Sequence, residues 1–217
     1  YVWDEANEEA TLKLLGNTQA LDVMVLDQGI KTISYQVPNA NQCRGCHIKI
    51  DGFKKTVVPI GLKPRHLRES GGGFDFLAHW FEAELLASLP AERVESPSIF
   101  DDLAPLSNRA MAYLDINCSH CHSPKGPGNT SGLDLRPDPS IPPVLRGICK
   151  SPVASGRAEH NFAYDITPGS PERSLLYHRL ASTDPAVMMP EVGRSLVDRA
   201  GLDLIYSWIA SLPGDCD

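Results

Sequence analysis

The sequence predicts a mostly α-helical chain of two units, with a β-hairpin in the first. Three observations carry this. Apolar residues recur at helical spacing in "FDFLAHWFEAELLASL" (74–89), "SNRAMAYLDIN" (107–117) and "VDRAGLDLIYSWIASL" (197–212). Residues 19–37 show partial alternation around Gln28-Gly29, the pattern of a hairpin. Pro90, Pro97 and Pro105 mark a connection near 89–105. The expected division is a unit at 1–93, a linker at 94–105 and a second unit at 106–217.

In the first helical segment Phe76, Leu77, Trp80, Phe81, Leu85 and Leu86 define a buried face. In the second, Ser107 is a candidate N-cap, with Ala110, Met111 and Leu114 facing inward. In the last, Asp198 is the candidate cap, and Leu202, Ile205, Ile209 and Leu212 form one stripe beside Leu204 and Trp208. Between them, 123–171 is a long stretch rich in Gly and Pro. A loop of that length is uncommon in a packed domain unless it wraps something.

The chain has 217 residues, 42% of them hydrophobic, and a net charge of −7. That composition offers no basic face for nucleic acid. No run of about 18 apolar residues exists, so no spanning helix is expected. The opening "YVWDEANEEA" lacks a basic-then-apolar leader, which fits a processed chain or a fragment.

The six cysteines carry the chemistry. Cys43, Cys46 and His47 form "CRGCH", and Cys118, Cys121 and His122 form "CSHCH". Two cysteines three apart suit thioether bonds to the two vinyl groups of one haem, and the next histidine reaches the iron as proximal ligand. Zinc could use the same cysteines with His47 and His122. A redox dithiol would want a βαβ context that is missing here. Two copies of the pentapeptide, the second straight after a helix, favour two covalently attached haem c groups. Such attachment takes place outside the bacterial cytoplasm, so a periplasmic or extracellular protein is expected. Cys149 and Cys216 are then left over. In an oxidising compartment a disulfide is the preferred reading, with two separate thiols as the alternative.

Residues 106–213 resemble a class I cytochrome c domain. The matching features are the helix leading into "CSHCH", the "MMPEVGR" segment and the closing aromatic-containing helix. In that family a methionine before a proline supplies the sixth iron ligand, which implies Met189, 67 residues after His122. Met188 is its direct competitor and His178 a weaker one. The whole chain also resembles a group of exported bacterial two-haem proteins, through "QVPNANQCRGCH", "PIGLKPRHL", "RAMAYLDINCSHCH", "CKSPVASGR" and "YDITPGSPERSLLYHRL". Members of that group often extend further at the N-terminus, so a preceding domain is expected.

At the first attachment the proximal ligand is His47, and the distal ligand is His79, with His66 and Met24 as alternatives. A bis-histidine first haem would have the lower potential and feed electrons to a His/Met second haem. His120 should point outward. His160 has no evident partner, and Arg136 and Arg146 could meet haem propionates. The expected function is electron transfer between redox partner proteins. The alternatives are a peroxidase-like dihaem enzyme with one open iron, and the relay part of a larger redox complex.

Overall fold

A computed structural model describes residues 1–25, 28–67, 73–91, 95–153 and 162–216. Its class is mixed α and β, which corrects the mostly α expectation: about 30% of the chain is helical and 18% is strand. The reason lies in the first half. There, β1 (Val2–Trp3) pairs with β2 (Ala10–Thr11), β3 (Asn17–Val25) with β4 (Gly29–Val37), and β5 (Ile48–Asp51) with β6 (Lys54–Val57), all antiparallel. Among the described residues the first half adds two short α-helices, α1 (Ala40–His47) between the strands and α2 (Phe76–Glu82) after them, and one 3₁₀ turn at Pro64–His66.

The longest hairpin places Leu21 opposite Ile33 and Val25 opposite Gly29. Gly29 turns the chain at φ 73°, a conformation that costs a residue without Cβ little. Helix α1 is set by a reciprocal cap. The Asn39 side chain accepts from the Asn41 and Gln42 amides, and Gln42 accepts from the Asn39 amide. Helix α2 is shorter than its apolar pattern. Asp75 caps it by accepting from the Ala78 amide, and Glu84, at φ 58°, leaves helical geometry two residues after Glu82.

The second half holds α3 (Leu106–Asn117), α4 (Leu175–Ala181) and α5 (Arg199–Ser211). Ser107 lies inside α3 and does not cap it; Pro105 makes the entry turn instead. Asp198 does cap α5, accepting from the Gly201 amide at 3.1 Å. Helices α3 and α5 cross at the core, where Ala110, Tyr113 and Leu114 meet Leu202, Ile205, Trp208 and Ile209. The crossing needs glycine at 201: a Cβ there would lie 2.2 Å from the Tyr113 ring. Cys149 and Cys216 form a disulfide, with Cα atoms 5.2 Å apart. It fastens the C-terminal tail to the long loop, and the Tyr164 hydroxyl donates to the Cys216 carbonyl at 2.8 Å.

Burial is one-sided. Among the described residues no side chain before Ala110 is buried. Leu15, Phe53, Leu62 and Leu85 are largely exposed. The first half is instead held to the second by polar ties. Asp115 on α3 is completely buried and receives Lys63 Nζ at 2.8 Å, Arg65 Nε at 2.6 Å and His66 Nε2 at 2.7 Å. No helix among the described residues is long and apolar enough to cross a membrane.

Candidate haem-attachment site

The two pentapeptides adopt different local structures. "CRGCH" is the end of α1, which stops at His47 as the chain turns extended into β5. "CSHCH" follows α3 as an irregular turn: the Cys118 amide still donates to Leu114, and the His122 amide donates to Cys118. Gly126 lets the chain fold back under this turn, because a Cβ there would lie 2.1 Å from the Cys121 carbonyl oxygen.

Both histidines have one ring nitrogen committed. His47 Nδ1 lies 2.9 Å from the Val58 carbonyl oxygen, which can only accept, so Nδ1 carries the proton. His122 Nδ1 lies 2.9 Å from Ser131 Oγ, and that hydroxyl donates onward to the Gly128 carbonyl at 2.7 Å. The hydroxyl proton is therefore spent, and His122 Nδ1 donates. In both rings Nε2 is the lone-pair nitrogen, the form in which imidazole binds a metal. Burial, and then the positive charges of His120, Arg179 and Lys150, push the His122 pKa down to about 4, which keeps the ring neutral at pH 7.

A cavity of about 390 Å³ opens in front of His122. Cys118, Cys121, His122 and Met189 line it together. Its apolar wall includes Leu133, Leu135, Leu176 and Leu180, and Arg179 and Asp165 supply charge. Lys150 pairs with Asp165 at 3.1 Å. Met188 and Met189 separate cleanly: Met188 is buried in the core, and Met189 lines the cavity. His178 is exposed on α4 and packs on Phe162 with ring centres 4.9 Å apart.

Several expected residues lie elsewhere. Arg136 pairs with Asp134 at 2.6 Å. Arg146 donates to the Asp138 carbonyl. Arg179, which the sequence did not single out, is the arginine on the cavity wall. His120 does not point outward. It lines the cavity, and its Nδ1 is buried without a hydrogen-bond partner among the described residues. His79 is exposed on α2 with its ring 5.2 Å from that of Phe74, and it is not among the cavity residues. His66 is committed through Nε2 to Asp115, and Met24 is 73% exposed on the hairpin. His160 lies outside the described residues.

The cavity also contains a residue of the other motif. Cys46 lines it beside Cys121 and His120, and one donor atom from each of the three lies within 4.8 Å of the others. A hydrogen bond from Cys121, and then one from His120, draws the Cys46 thiol well below its usual range. Cys121 is pushed up by the same contact and keeps its proton. Burial pushes the Cys118 thiol up to about 12. No family model, curated protein or solved structure matches this chain.

Proposed function

We propose that this chain is a two-haem c-type cytochrome that carries electrons between redox partner proteins outside the cytoplasm. The observation that carries the reading is the convergence of Cys118, Cys121, His122 and Met189 on one cavity, although Met189 lies far along the chain. The donor set fits the group. Cys118 and Cys121 offer two thiols for thioether bonds, and His122 offers Nε2. Met189 offers a soft sulfur of the kind that raises a haem potential. At the first motif Cys43 and Cys46 offer the thiols, and His47 offers Nε2. Haem c supplies one-electron iron chemistry when bound. The protein's part is to hold the iron ligands, exclude water from the second site and set the local charge. Arg179 places a positive group on that wall. For the first iron His79 stays the proposed distal ligand on its ring nitrogen, which Asp115 does not occupy as it does that of His66; like Met24, His79 is exposed.

The cluster of Cys46, His120 and Cys121 favours one second reading, a soft metal ion such as zinc. Intact mass after acid denaturation separates the two. Thioether-bound haem stays with the chain and adds the mass of two haems. A zinc protein gives the bare chain mass and releases the metal. Carbon monoxide added to the dithionite-reduced protein then tests the electron-carrier role. An unchanged spectrum means that both irons are firmly six-coordinate. A shift in about half the signal means that one iron is open, and the peroxidase-like reading replaces ours.

A further inference from the structure

The two attachment motifs are not separate sites. Cys46 and Cys121, each the second cysteine of its motif, share one cavity with His120, and their donor atoms lie within 4.8 Å of one another. We infer that these residues form a junction that makes the two haems a coupled pair rather than two independent carriers. This rests on the two-haem reading above.

The chemistry of attachment supports it. A thioether sulfur bonds to a vinyl-derived carbon on the porphyrin rim. Two such sulfurs side by side therefore bring two rims together. His120 lies at the same place, with one ring nitrogen beside the two sulfurs and its Nδ1 buried without a hydrogen-bond partner among the described residues.

Three ties around the junction hold it in register. Lys63 Nζ reaches Ser119 Oγ, inside the second motif, at 2.8 Å, and the same Lys63 binds Asp115. The Ile50 amide of β5, just after the first motif, donates to the Lys125 carbonyl, just after the second, at 2.7 Å. Lys125 Nζ pairs with Asp51 at 2.9 Å. Each tie joins a segment of the first half to a residue within or beside the second motif. The approach of Cys46 to Cys121 is thus a consequence of the fold and not of one side-chain rotamer.

Two properties follow. A charge change at one iron is felt at the other, so the second electron enters at a lower potential than the first. The unpaired spins of the two ferric irons also interact. The test uses the unmodified, haem-loaded chain. Electron paramagnetic resonance is recorded fully oxidised and again at half reduction. In a coupled pair the fully ferric signal is broadened, and at half reduction the signal of the iron still ferric narrows. Circular dichroism across the Soret band should show a two-signed couplet in the same sample. That couplet should collapse to one sign in a Cys43→Ser/Cys46→Ser variant that carries only the second haem. If the resonance falls in proportion to reduction with its shape unchanged, and the Soret band has one sign, the two haems are independent and the inference is wrong. Should the denatured mass lack two haems, the cytochrome reading itself is what fails, and the junction proposal falls with it. The wild-type measurements decide the matter even if the cysteine variant does not fold.

Discussion

Met188 and Met189 are chemically identical neighbours with different surroundings. Met188 is buried, and Met189 lines the cavity. Met188→Leu should therefore cost less than about 1.5 kcal/mol, as volume-conserving swaps do, and leave the visible spectrum alone. On the proposed cytochrome reading, Met189→His should lower the potential of the second haem, since it trades a thioether for an imidazole. Potentiometric titration of both variants checks this; a shift in the Met188 variant alone would reverse the assignment. Asp115 is the other decisive residue. Burial works to raise its pKa, but hydrogen bonds from His66, Arg65, Lys63 and Ser119 outweigh burial and hold the carboxyl well below the usual carboxylate range. A depressed acid stabilises the fold above its unfolded pKa of about 3.9, and that stability is lost as pH falls below it. Asp115→Asn removes the charge that faces Lys63 and Arg65 and the carboxylate that His66 bonds. The expected loss is about 3–5 kcal/mol, read from the denaturant midpoint at pH 7.

At the scale of elements, the crossing of α3 and α5 depends on Gly201. Gly201→Ala forces a Cβ onto the Tyr113 ring, and overpacking of this kind costs about 1–3 kcal/mol. Thermal melting of the variant measures it; an unchanged midpoint would show that Tyr113 can swing away. Helices α3 and α5 were legible because each runs more than three turns, long enough for period to speak. The start of α3 was misread, since Ser107 is a good cap by type but Pro105 already sets the turn. Helix α1 was legible in principle, from Asn39 and Gln42 at capping-box spacing, but its polar sequence carries no apolar period. Helix α2 ends early because Glu84 takes a left-handed conformation, which composition does not announce. Within the site, the pentapeptides are visible in any reading of the chain. The inward turn of His120 is not, because only the approach of the first half, through Cys46, gives it a destination.

On the scale of the whole molecule, the first half lacks buried side chains among its described residues and leans on the second through Asp115. The mixed class follows from this. Short hairpins without a shared core do not need long helices to cover them. The disulfide has the opposite role, closing the second half on itself across 67 residues. Replacing both Cys149 and Cys216 with serine should cost about 2–5 kcal/mol, measured by denaturant unfolding of the haem-loaded chain. A smaller loss would mean that α5 already anchors the tail through Leu204, Trp208 and Ile209.

The closeness of Cys46 to Cys121 also bears on how such a chain is made. On the two-haem reading proposed above, an oxidising compartment has to join Cys149 to Cys216 while leaving the four motif thiols reduced for haem. Two of those four, Cys46 and Cys121, already lie within 4.8 Å of each other, the arrangement that an oxidant converts to a cross-link. On that reading biogenesis is a race between haem delivery and a wrong sulfur–sulfur bond. A cell that overproduces the polypeptide faster than it supplies haem should accumulate a sealed, colourless by-product, recoverable only by reduction before haem is added.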